Sequence, residues 1–184
     1  VIVLAIDPGN EESAWMAFDI ATGLPARHGV FGLPENRSDD FGRWASFGKS
    51  RNADLLDRLS WSPGYGPNAV AIEMIASYGM PVGREVFETC LWIGRFMQRL
   101  DWLPCHLIYR KDVKLHLCGQ PRAKDGNIRQ ALIDRWGGKD KAIGRKASPG
   151  PLYGVSADVW SALAIAVTYS ETCGRREPIA SGGV

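Results

Sequence analysis

The sequence predicts an α/β domain: a mixed five-stranded sheet with helices on its faces, antiparallel at one side and parallel at the other. Two observations carry this. Short apolar segments separated by tight turns come first, as in a meander, and later apolar segments alternate with helical stretches. A third bounds it: 184 residues with 45% hydrophobic content suit one compact core and not two.

The elements follow in order. Residues 1–7 (VIVLAID) form a continuous apolar run ending in Asp-Pro-Gly, which reads as a buried strand meeting a turn and not as a signal peptide, since no basic lead-in precedes it. Residues 13–20 form a second strand, residues 21–23 a tight hairpin connection, and residues 24–33 a third strand ending at Pro34. A helix is expected over residues 40–59, with Leu55, Leu56 and Leu59 at its far end. A Pro- and Gly-rich break separates it from a strand at 69–74 (AVAIEM). A helix at 84–100 follows, then a fifth strand at 105–109, helices at 111–117 and 126–136, and a loop to Gly154. The last helix spans 156–171, leaving residues 174–184 as a flexible tail after a domain of 1–173.

Composition excludes several classes. No apolar stretch approaches the ~20 residues of a bilayer crossing. The four cysteines (Cys90, Cys105, Cys118 and Cys173) form no C-x-x-C pair and match neither a zinc ribbon nor a disulfide framework. They read as small buried apolar residues in a reducing, cytoplasmic protein.

Net charge is only +2, yet it is unevenly placed. Residues 110–146 hold 11 of the 22 Lys and Arg but 4 of the 20 Asp and Glu. Such a stretch is either a solvated helical face or a surface for a polyanion.

Against this background three acids stand out. Asp7 ends the first strand, Glu73 lies within AVAIEM, and Asp158 opens the last helix. Asp7 alone has a structural reading as a turn residue, and Asp158 as a helix cap. A mid-strand Glu73 has no such local reason. Buried carboxylates that converge require cations between them, and oxygen-only ligands favour Mg²⁺ or Mn²⁺, two per site. Two such ions would hold a scissile phosphate. The expected metal set is therefore Asp7, Glu73 and Asp158.

Four blocks together resemble the RuvC-type Holliday junction resolvases of the RNase H-like nuclease superfamily: AIDPGNEESAW at 5–15, AIEM at 71–74, VKLHLCG at 113–119 and ADVWSALAIA at 157–166. The resemblance implies an RNase H-like fold and a homodimer that binds four-way DNA junctions and makes paired, Mg²⁺-dependent nicks in recombination and repair. It assigns Asp7, Glu73 and Asp158 to the catalytic acids. It sets Lys114 in the family's Val-Lys motif and Lys124 near a second family lysine.

Two departures qualify the resemblance. The family carries Asp where this chain has Ser161, which shares a helix face with Asp158 but supplies no charge. Either three carboxylates suffice, or Glu11 or Glu12 substitutes, or the site is impaired, or Ser161 is an engineered replacement. The family's aromatic wedge position holds Ala76, leaving Tyr78, two residues on, as the candidate to unstack a base. A compact resolvase without the bacterial wedge suits a phage.

The helix at 84–100 is where the family dimerises, and its apolar residues occupy more than one face, with Gly94 permitting close approach. The basic stretch acquires a role as well. Arg110, Lys111, Lys114, Arg122, Lys124 and Arg129 are expected at phosphates near the metals, with Lys139, Lys141, Arg145 and Lys146 on the junction arms. Three rivals remain. An actin-like ATPase would need a second Asp-x-Gly loop that the chain lacks. A catalytically silent junction-binding protein and a nuclease of RNA–DNA hybrids or other branched DNA both keep the fold.

Overall fold

The structure is a computed structural model, and the residues it describes are 1–26, 47–59, 66–77 and 79–173. The chain runs β1 (Ile2–Asp7), β2 (Glu12–Asp19), β3 (Leu24–Pro25), β4 (Phe47–Arg51), α1 (Asn52–Arg58), β5 (Ala69–Met74) and α2 (Arg84–Arg99). It continues with β6 (Cys105–Tyr109), α3 (Arg110–Cys118), α4 (Asp125–Arg135), α5 (Lys139–Ala142), the two-residue strands β7 (Gly144–Arg145) and β8 (Ser148–Pro149), and α6 (Val159–Thr172).

The main sheet has the order β3-β2-β1-β5-β6, with β4 also pairing β2. β1 is antiparallel to β2 and parallel to β5, and β5 is parallel to β6. The expected mixed sheet is thus present. Its six strands occupy five lanes, because β3 pairs with Phe18 and Asp19 while β4 pairs with residues 12–16 of the same strand.

Both faces of the sheet are covered, which is why β1 and β5 read as unbroken apolar runs and not as alternations. Val3, Ala5, Ala14, Met16, Phe18, Ala69 and Ala71 pack beneath α6 in one core. Leu4, Ile6, Trp15, Val70 and Ile72 pack on the other face with Leu55 and Leu59 at α1 and with Ile93 and Phe96 of α2. Helix α6 is buried along almost its whole length, from Val159 to Ser170, because it lies between the sheet and α3 and α4. No helix among the described residues is long and apolar enough to cross a membrane.

Three sequence expectations change. The helix expected over 40–59 is replaced, within the described residues, by β4 at Phe47–Arg51 and a short α1. The outer edge of β2 needs a partner for its backbone groups, and residues 47–51 supply it ahead of the leucine-rich turn. The loop to Gly154 contains α5 and the β7–β8 ribbon, set off from α4 by Gly137 and Gly138 at φ 85° and 88°. The cysteines are free but half-buried instead of buried. Most of the expected third strand, the first part of the 40–59 helix and the tail at 174–184 lie outside the described residues.

Candidate active site

Parallel pairing of β1 with β5 puts Ile6 beside Ile72. One residue further along each strand stand Asp7 and Glu73, on the face that carries α6, because Val3, Ala5, Ala69 and Ala71 share their parity. The two carboxyl groups lie close enough to act directly on each other. Burial, and then the charge of Glu73, push the Asp7 carboxyl from an ordinary 3.8 up to about 8, against the opposing pull of Arg110. Burial likewise raises Glu73, and Arg110 again opposes. Such a pair keeps a proton between its members where a cation would otherwise sit.

The turn after Asp7 is held from beneath. Ser13, fully buried, donates its hydroxyl to Asn52 Oδ1 at 2.6 Å, and Asn52 Nδ2 donates to the Gly9 carbonyl at 2.9 Å. The Asn52 backbone N–H donates to the Glu11 carbonyl, also at 2.9 Å. Gly9 is required by close approach: a Cβ there would lie 2.5 Å from the Glu12 carbonyl oxygen. Sequence reading passed over Ser13 and Asn52. Asn following a basic strand end carries no motif, and only the fold brings it to the turn.

Asp158 stands immediately before α6, after Ala157 in the left-handed region at φ 41°. Its carboxylate is on Lys49 Nζ at 2.8 Å, and Lys49 also reaches Glu12 at 3.3 Å. Register explains the meeting: Asp7 faces Ala14 across β1–β2, and Ala14 faces Lys49 across β2–β4, so Asp7 and Lys49 lie in one row. Asp158 is close enough for its charge to raise Asp7. Among the described residues, however, no group of three His, Cys, Asp or Glu side chains is placed to hold one metal ion. Of the three expected carboxylates, Asp7 and Glu73 meet at the strand ends, and Asp158 stands beside them in an ion pair with Lys49.

Ser161 lies one turn into α6, and its hydroxyl accepts from Arg110 Nη1 at 3.1 Å. The same Nη1 is 3.4 Å from Glu73 Oε2, and Nη2 donates to Asp125 Oδ1 at 2.7 Å. Arg110 was expected at DNA phosphates; here its guanidinium is inside the carboxylate cluster. No sequence signal marked this placement: Arg110 directly follows β6, and only the pairing of β6 with β5, with Tyr109 opposite Met74, brings it here.

The remaining basic residues are placed as follows. Lys114 is one helical turn along α3 from Arg110, on the same face, and Lys111 is exposed nearby. Arg122 and Lys124 are exposed before α4; the Lys124 backbone N–H donates to Asn127 Oδ1 at 2.9 Å, and Lys124 is joined in sequence to Asp125. Arg129 lies over the Trp160 ring at 4.9 Å. With Arg110, Asp125, Asp158, Trp160 and Ser161 it borders a cleft of about 290 Å³. Tyr78 lies outside the described residues.

The donor chemistry fits one divalent ion. Asp7 and Glu73 offer paired oxygens of the kind hard cations prefer, and a cation in place of the shared proton would offset the repulsion that raises both groups. Beyond that pair, Asp158 is on Lys49, and Ser161 offers a hydroxyl and no carboxylate.

Neither a protein-family model nor a curated protein matches the chain. Solved structures do. Thermus thermophilus RuvC superposes with a TM-score of 0.56 at 17% identity, over 92% of this chain and 93% of that one. T. thermophilus RuvC in complex with Holliday junction substrate gives 0.55 at 18% identity, over 92% of each chain. The order β3-β2-β1-β5-β6, with α6 across its face, is therefore the RuvC-like form of the RNase H-like fold.

Proposed function

We propose that the chain is a metal-dependent endonuclease that nicks four-way DNA junctions as a homodimer. The observation that carries this reading is the half-buried Asp7–Glu73 pair at the ends of two adjacent parallel strands. Holding two carboxyls together in a half-buried site costs stability, and only a bound cation turns that arrangement to use. Strand ends of α/β sheets are also where active sites form. The fold is shared with a protein captured on Holliday junction substrate, and residues 110–146 supply the cationic surface such DNA requires.

The reaction is phosphodiester hydrolysis. The oxygen of water bonds to phosphorus as the bond from phosphorus to the 3′ oxygen breaks; the water's proton passes to solvent, and the 3′ oxygen takes one up. A divalent cation on Asp7 and Glu73 would supply Lewis-acid polarisation of the phosphate and acidify water. Arg110 stabilises charge that develops on the phosphate oxygens. Ser161 and Asp125 hold Arg110 in place, and Lys114, Lys124, Lys111, Arg122 and Arg129 position the flanking backbone without reading bases. Two protomers related by a two-fold axis would match the symmetry of paired nicks.

A second reading has its own observation. Arg110 on Glu73 and Lys49 on Asp158 neutralise much of the acidic cluster, as in a protein that binds junctions without cutting them. Incubating a labelled four-way junction and a matched linear duplex, with and without Mg²⁺, decides between them. The nuclease yields paired nicks in the junction only, and only with the metal. Tight junction binding without nicks in Mg²⁺ or Mn²⁺ overturns it in favour of the second reading.

A further inference from the structure

Arg110 opens α3 at the point where β6 ends, so its side chain projects along the ends of the parallel strands. Only a quarter of that side chain is exposed, and only 14% of the Glu73 side chain it meets. A guanidinium cannot lose its proton in a protein, so it is a fixed positive charge. It stands between a strand carboxylate, at 3.4 Å, and the first turn of α6, where Ser161 Oγ is 3.1 Å away. Asp125 anchors its other end at 2.7 Å. Ser161 is neutral and adds no carboxylate on this side of Glu73, and the Asp125 carboxylate there is already on Arg110. Asp158, the remaining carboxylate nearby, is matched by Lys49. The side chains that would build a second metal position are thus already paired with cations of the chain itself, while Asp7 has no basic side chain in hydrogen-bond contact among the described residues.

We propose that Arg110 is a resident cation that takes the place of one divalent ion, so that each protomer loads a single metal ion on Asp7 and Glu73. The inference rests on the metal-site reading above. Arg110 and Ser161 then form one unit: an arginine that supplies charge on the α6 side, and a neutral hydroxyl that adds no further negative charge against it. Three of the five guanidinium N–H donors are used by Glu73, Ser161 and Asp125, and the others remain for a phosphate oxygen.

The test is Mn²⁺ titration of the full chain without DNA, read as the paramagnetic resonance signal of unbound Mn²⁺. Wild type should take up one ion, and Asp7→Asn none. Arg110→Gln should bind its ion about tenfold more tightly, because a like charge is removed from beside the site. Arg110→Lys, which keeps the charge, should match wild type, and Ser161→Asp should still hold one ion because the new carboxylate pairs with Arg110. The double variant Arg110→Gln/Ser161→Asp should take up two. Two ions in wild type overturn the proposal. So does a single ion of unchanged affinity in Arg110→Gln joined with one ion in the double variant, an outcome that leaves the Asp7–Glu73 site standing. No uptake by any variant overturns the metal-site reading itself. Should Arg110→Gln fail to fold, the stoichiometries of wild type and Ser161→Asp still decide the matter.

Discussion

The Arg110 guanidinium donates to Ser161 Oγ at 3.1 Å, tying the start of α3 to the first turn of α6. That bond closes a ring of contacts around the ends of β1 and β5. The carboxyl pair inside the ring is half-buried and only partly compensated, and the consequences are measurable.

Asp7→Asn should abolish cleavage while leaving junction binding nearly intact, and should stabilise the metal-free protein. The folded Asp7 holds its proton up to about pH 8, whereas the unfolded residue releases it near 3.8. The folded state therefore binds more protons between these values, and its stability falls as pH rises from about 4 to about 8, then levels. The fall is on the order of a few kcal/mol. Urea unfolding in EDTA at pH 5 and pH 8 checks it; an equal slope in wild type and Asp7→Asn removes the carboxyl pair as its cause.

Asp158→Asn should lower cleavage far less than Glu73→Gln, by about tenfold against about a thousandfold or more. Its carboxylate is more than half exposed and already on Lys49. For the same reason Lys49→Ala should change stability by less than about 1 kcal/mol. Single-turnover rates on a junction, set beside thermal melts, measure both. Equal losses for the two acids would return Asp158 to the metal set.

Asn52→Ala should destabilise the fold by about 1–3 kcal/mol, since it leaves the buried Ser13 hydroxyl and the Gly9 carbonyl unpaired. It should also weaken Mn²⁺ uptake, because the turn that follows Asp7 loses its support. Denaturant midpoints and metal titration separate the two effects. Asn52→Asp keeps one acceptor for Ser13 and should retain more stability than Ala.

Leu91→Glu should yield a monomer in sedimentation equilibrium. Phe87 and Leu91, one turn apart on α2, are 61% and 70% exposed, while Ile93 and Phe96 of the same helix are buried in the core. In the proposed homodimer a partner copy on that face would cover the exposed pair. The variant should still bind single junction arms but lose coordinated paired nicking. A wild type that is already monomeric at micromolar concentration would dismiss the dimer.

Much of this architecture is written locally. The apolar runs at β1 and β5, the turn signal after Asp7 and the all-round apolar α6 each require burial on two sides. Those demands leave a covered mixed sheet as the solution. Glu73 was legible because a carboxylate within such a run has no local partner, whereas Asp7 before Pro-Gly also had a local reading as a turn residue. What the sequence could not carry is pairing across the chain. Lys49 reaches Asp158 only because β4 takes the open edge of β2 in a particular register, and residues 47–51 on their own fit a helix as readily. Arg110 looked like one more cation in a basic stretch until β6 was set beside β5 and α6 laid across both. Local pattern determines which residues must be buried; which charge meets which is decided by register and helix placement, since electrostatic partners are chosen by distance in space and not along the chain.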